Sequence, residues 1–344
     1  MKYKPALDGL RAVAVVLVIA FHTIANEFPG GFIGVDIFFV LSGYLITSNM
    51  LVEWDKTNRI SIGKFYWRRA LRLAPALLLL LSCYVVVAYF INNTNDHLVA
   101  AAITAIYAMN WARAFDIGSV GYMPHTWSLA VEQQFYFIWP LLLSALLFLT
   151  GRRVTPWCIA LLVLFTIGWR LALIWNETSG ERIYNGFDTR VDTILVGCCL
   201  AFVPASKMKW APFLVWLALF AAMVFTLFGS YGRWVEIWGF TAIALASAVL
   251  VAGAANISDG QMSHALLSSR PLVWLGQISY GMYLWHFPIL VGVADRLGLQ
   301  GVTRLVFTLG ATIVLATSSY LFVEVPFLKK RTLPVAPVPS PQPA

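Results

Sequence analysis

Charge is what this sequence has least of. Of its 344 residues only 12% are Asp, Glu, Lys or Arg, while 60% are hydrophobic. A soluble domain carries about 25% charged residues, so the composition excludes one and implies a polytopic membrane chain. Cysteine is scarce too. The four present are Cys83, Cys158, Cys198 and Cys199. All lie in apolar runs without metal-ligand spacing, so they are expected to be small buried packing residues, and no metal is expected. The chain also lacks a nucleotide-binding glycine loop, a nucleophile elbow, zinc spacing and an internal repeat. The net charge of +8 falls mostly in short loops beside apolar runs, where it sets orientation and does not mark a nucleic-acid partner.

What is there in quantity is apolar sequence. Eleven segments qualify as spans, near 7–26, 32–53, 73–92, 97–112, 126–150, 156–175, 190–204, 211–229, 234–254, 276–294 and 302–325. If 97–112 does not cross, sixteen lysines and arginines share one side, against five opposite (Arg113, Arg182, Arg233, Arg296 and Arg304). If it crosses, the balance falls to thirteen against eight. The positive-inside rule favours the first arrangement. The expected fold is therefore all-α: a polytopic bundle of about ten transmembrane helices, with both termini cytoplasmic and one re-entrant or peripheral helix at 97–112. The membrane domain covers residues 1–328. Its first span is expected to remain uncleaved, because Arg11 interrupts it. The proline-rich tail at 329–344 is expected to be disordered and cytoplasmic.

Ionisable residues inside these spans are few, and such residues mark function by default because they are costly at membrane depth. Leu7 to Thr47 holds Asp8, Arg11, His22 and Asp36 in a two-span hairpin. Arg11 and His22, eleven residues apart, share a helix face and lie roughly 16 Å apart along the axis. The hairpin is expected to bring Asp36 to the depth of His22. An imidazole beside a carboxylate, with an arginine three turns below, reads as a reaction centre with a separate anion clamp. A packing role for a single histidine is the plainer alternative.

Arg68, Arg69 and Arg72 follow Ser61, a possible helix cap. They read either as a cytoplasmic stop signal on anionic lipid or as a phosphate clamp. Glu132 enters its span from the outer side, with His125 at the mouth. Arg190 and Asp192 open another outer half, either paired or lining an acceptor pocket. His286 lies in the outer half of its span, and Glu324 near the inner end of the last.

The strings that carry these residues resemble the acyltransferase-3 family of integral-membrane O-acyltransferases. They are Leu7-Asp8-Gly9-Leu10-Arg11, the Arg11-x10-His22 pair, Gly30-Gly31-Phe32-x-Gly34-Val35-Asp36 and Phe38-Phe39-Val40-Leu41-Ser42-Gly43. Further along come Phe65-Tyr66-x-Arg68-Arg69-x-x-Arg72-x-x-Pro75, Trp127-Ser128-Leu129-x-x-Glu132 and Ser279-Tyr280-x-x-Tyr283-Leu284-x-His286-x-Pro288. The resemblance runs to about residue 328. On this reading no soluble esterase-like domain follows the last span, as one does in some longer members.

The resemblance implies ten spans and transfer of an acyl group, usually acetyl from acetyl-CoA, to a hydroxyl of a carbohydrate or glycolipid acceptor. It favours Arg69-x-x-Arg72 as the phosphate clamp and a site role for His286. The expected centre then has His22 as general base, with Asp36 or Glu132 orienting the ring and His286 nearby. Arg11, Arg68, Arg69 and Arg72 hold the cytosolic acyl-CoA. Direct transfer and a transient acyl-imidazole both fit. The expected location is the bacterial inner membrane. A glycan or lipid transporter is the alternative, against which the lack of duplicated halves counts.

Overall fold

A computed structural model of the chain describes residues 3–91, 93–208, 211–229, 231–257 and 261–330. The tail expected to be disordered lies outside the described residues from 331 on. Among the described residues all regular structure is helical, as apolar runs of bilayer length dictate when every backbone N–H and C=O must be satisfied internally. The helices are α1 Pro5–Thr23, α2 Ile33–Thr57, α3 Ile62–Ala88, α4 Thr94–Ala105, α5 Met109–Phe115, α6 Trp127–Trp175, α7 Gly180–Asn185 and α8 Phe187–Leu200. They continue with α9 Ala211–Phe228, α10 Phe240–Asn256, α11 Met262–Leu267, α12 Arg270–Gln277, α13 Ser279–Ile289, α14 Gly301–Ser319 and α15 Val325–Lys330.

Local chemistry sets several boundaries. Pro5 opens α1, where its missing N–H costs nothing, and Asp8 sits in the first turn against the helix dipole. Asn58, at φ 50°, ends α2 in the left-handed region. Ser61 stands at the N-cap of α3, but its hydroxyl caps nothing. Instead its backbone N–H donates to the Glu53 carboxylate at 3.0 Å. Within α6, Gly151 has φ 70° and ψ 168°, a conformation open to glycine and strained for other residues. It breaks a long helix into two halves, the segments expected at 126–150 and 156–175.

Among the described residues six helices are long and apolar enough to cross a bilayer, or seven if the bent α4–α5 pair counts as one. The ten expected spans exceed that count. One reason is length: α8 has only 14 residues, about 21 Å against a core of roughly 30 Å. The segment 97–112 is not one straight helix, because α4 and α5 meet at 120°. Cys83 is exposed, contrary to the expectation that all four cysteines pack inside; Cys198 is buried.

Burial shows which helices form the centre. The apolar windows of α1 and α2 are 67% and 72% buried, whereas those of the α6 and α14 regions are 17% and 22% buried. The hairpin at the start of the chain is thus the core, and α6 and α14 present apolar flanks such as Phe148, Phe165 and Val306 outward. Small residues let backbones meet at the centre. A Cβ on Gly43 would collide with the Ile194 carbonyl of α8, and one on Gly197 with the Val40 carbonyl of α2. Gly276 and Gly9 make the same kind of approach between α12, α1 and α11.

Candidate active site

The α1–α2 turn fixes relative depth. A Cβ on Gly31 would meet Leu17 and Phe21, and one on Gly34 would meet Ala14 and Val18. The start of α2 therefore overlaps the last turns of α1, and Asp36 lies deeper than His22. There the Asp36 carboxylate accepts from Arg190 at 2.7 Å, with both side chains essentially unexposed. The expected carboxylate–imidazole pair is not formed. Asp36 instead belongs to a buried quartet with Arg190, Asp192 and Arg170, the last two joined at 2.8 Å. The Arg190 guanidinium lies 3.6 Å from the Phe240 ring centre and also faces Trp127 and Tyr184. Burial pushes the Tyr184 phenol, on α7, up to about 12, so it remains a neutral wall. Arg190 and Asp192 thus take partners from other helices.

His22 meets His286 instead. The two rings are joined by a 3.2 Å contact from His286 Nε2 to His22 Nδ1. The partners settle which nitrogens carry hydrogens. His286 Nδ1 donates to the Tyr283 carbonyl at 2.6 Å, so in the neutral ring its Nε2 offers a lone pair. His22 Nδ1 must then donate to it, leaving His22 Nε2 with a lone pair. That is the tautomer a general base needs. His286 is fully buried and His22 only half-buried, so His22 presents the accessible edge. Phe21 and Phe287 flank its ring at 5.3 and 5.2 Å.

His125, placed by the sequence only at the mouth of its span, is 1% exposed and belongs to this cluster. Its ring centre is 5.0 Å from that of His286, and it stacks on Phe287. Its Nε2 donates to the Leu284 carbonyl at 3.2 Å. The only sequence signal was its place just ahead of the TrpSerLeu string. Depth along one helix could not show that α13 carries His286 to the same spot.

Below the histidines lies an elongated cavity, partly open to solvent, walled by α1, α2, α3, α6 and α13. Its α2 wall runs from Val35 to Leu45, roughly 15 Å along the axis. Arg11, Arg69 and Arg72 line it, and Glu132 is the one carboxylate among its lining residues. Arg11 is held by Asp8 at 3.1 Å. Arg69 lies over the Tyr136 ring at 4.6 Å. Tyr136 in turn bonds Ser42. Arg68, expected beside them, is exposed and does not line the cavity: one residue along α3 turns it about 100° away from Arg69. Glu132 therefore stands among the arginines, and the side chain that contacts the His22 ring is that of His286, where Asp36 or Glu132 was expected. Glu324 is buried in the helical continuation of α14 and accepts from Ser319 at 3.1 Å.

Known proteins share this sequence pattern. A family model described as an acyltransferase domain matches residues 4–324. The O-acetyltransferase OatA of Staphylococcus aureus is 34% identical over 96% of this chain and 58% of its own length. The peptidoglycan O-acetyltransferase OatA of Listeria monocytogenes is 33% identical over 95% of the chain and 56% of its own. The putative peptidoglycan O-acetyltransferase YrhL of Bacillus subtilis is 36% identical over 94% and 55%. The chain thus spans little more than half the length of these relatives. No solved structure matches it. A match over nearly the whole chain, in an integral membrane bundle whose motif residues gather around one cavity and one histidine pair, makes this chain a member of the acyltransferase-3 family of membrane acyltransferases.

Proposed function

We propose that this enzyme moves an acetyl group from cytosolic acetyl-CoA to a hydroxyl of a cell-wall glycan on the outer side, with His22 as general base. The observation that carries the reading is the His22–His286 pair set at one end of an arginine-lined cavity. Coenzyme A carries a pyrophosphate and a ribose phosphate, and arginine forks match such oxygens bidentately. Arg69, Arg72 and Arg11 would hold these groups while the pantetheine arm runs along the cavity toward Ser128 and Tyr283. Arg68, facing outward, suits the mouth or the lipid surface. The relatives named for peptidoglycan support the glycan acceptor.

The chemistry follows from the tautomers. His22 Nε2 takes the acceptor hydroxyl proton as the oxygen attacks the thioester carbonyl. The resulting imidazolium is stabilised by the lone pair of His286 Nε2, whose ring is fixed by the Tyr283 carbonyl. The carbon–sulfur bond breaks, and the proton returns to the departing thiolate. The products are the O-acyl glycan and free coenzyme A. Incubating purified full-length protein with radiolabelled acetyl-CoA and a panel of glycan acceptors tests the reading; no label transferred to any hydroxyl acceptor would defeat it.

The donor half is tested separately. Arg69→Ala or Arg72→Ala is expected to weaken coenzyme A binding by about 1.5–3 kcal/mol, the loss of one charge-assisted contact, with acceptor affinity nearly unchanged. Calorimetric titration of coenzyme A measures it, and equal affinity in the variants would return these arginines to topology signals.

A donor from the cytosol requires the arginine end to face inward, in an inner membrane crossed ten times with both termini cytoplasmic. Reporter fusions after Arg153 and after Lys207 are expected to give cytoplasmic signals at both sites. External signals at both would invert that part of the topology.

A further inference from the structure

The donor cavity and the histidine pair are neighbours, yet none of the three clustered histidines lines the cavity. Between them stands Tyr283. Its phenol lines the cavity beside Ser128. Its hydroxyl donates to the His125 backbone carbonyl at 2.6 Å. That commits its one hydrogen, so the 2.6 Å contact with Ser128 Oγ has Ser128 donating to the phenol oxygen. On its other side, the Tyr283 carbonyl receives His286 Nδ1–H. His125 completes the tie by donating Nε2–H to Leu284, the next residue of α13. One side chain thus closes the cavity toward the start of α6 while its own backbone holds the base's partner.

We propose that the Ser128–Tyr283–His125 chain is a latch that keeps the acyl thioester apart from the histidine pair until an acceptor engages, and so suppresses hydrolysis of the donor. The inference rests on the reading of the cavity as the acyl-CoA site. Its chemical rationale is competition between nucleophiles. The half-buried His22 edge that can activate a glycan hydroxyl can also activate water. With water as the nucleophile, its oxygen bonds to the acyl carbon and the carbon–sulfur bond breaks. His22 passes the water proton to the thiolate, giving free acid and free coenzyme A. A closed phenol denies water and base that approach. Tyr283 is a positioning residue here, since it reaches the reacting atoms only through the groups it separates or holds.

Thiol release from acetyl-CoA by the purified full chain, without any glycan, reads the latch directly. Tyr283→Phe keeps the ring and removes both hydroxyl contacts. It is expected to raise acceptor-free thiol release about 5–30-fold over wild type, the population change that accompanies losing one or two ordinary hydrogen bonds. Coenzyme A, held at the arginine end, should still bind. Ser128→Ala removes one contact and should raise release less. Adding His22→Ala to Tyr283→Phe should return release to background, which a loosened fold would not do. Wild-type release from a Tyr283→Phe protein that binds coenzyme A overturns the latch. So does release that persists in the double variant, and so does a pair of Tyr283→Phe and Ser128→Ala proteins that both unfold. Failure of the wild type to bind coenzyme A would instead strike the donor reading beneath it.

Discussion

His22→Ala is expected to abolish acyl transfer while leaving expression and coenzyme A affinity near wild type. Loss of a general base costs about 10²–10⁴ in rate, and His22 is the histidine of the cluster that combines a lone pair at Nε2 with an accessible edge. Its hydrogen bond to His286 ties α1 to α13, but Arg11 lies eleven residues away on α1 and is held by Asp8, and Arg69 and Arg72 stand on α3, so donor binding should survive. The measurement is paired on one preparation: turnover, and thermal unfolding with and without coenzyme A. A folded variant that keeps more than about a tenth of wild-type turnover falls short of that loss and removes His22 from the role. His286→Gln offers a companion, since an amide can accept from His22 Nδ1 but cannot share the imidazolium charge. It should lower turnover less than His22→Ala and shift the pH profile.

The second large effect is on folding. Arg190→Ala is expected to cost about 3–5 kcal/mol, the penalty for breaking a buried ion pair and stranding one charge. Asp36 and Arg190 are 0% and 1% exposed at the side chain, so no water is at hand to take the place of the lost partner. Asp36→Ala should destabilise similarly. Replacing both, as in Asp36→Leu with Arg190→Leu, should recover part of the loss, because neither charge is left unpaired. Thermal unfolding in detergent of the two single variants and the double variant measures the coupling. If Asp36→Ala unfolds at the wild-type temperature yet loses turnover, Asp36 returns to the chemistry and its pairing with Arg190 is incidental.

These two expectations separate residues that the sequence presents as one group. Composition and run length alone determine a membrane helix bundle, because a chain so poor in charge has no other way to satisfy its backbone. Helical spacing places Arg11 and His22 on one face of α1, and the strings around Arg69, Arg72, Glu132 and His286 lie on the elements that line the cavity or meet His22. Those facts lie along single helices, where 100° and 1.5 Å per residue suffice. Between helices that arithmetic stops. The overlap of α1 and α2 at Gly31 and Gly34 sinks Asp36 below His22 and hands it to Arg190. Position 286 reaches position 22 across 264 residues, and His125 joins them from the mouth of α6. One step around α3 separates Arg69 in the cavity from Arg68 outside it. Only packing decides such things, since the partner of a buried ionisable group is chosen by which backbones come close, and that is set here by small residues such as Gly43 and Gly197.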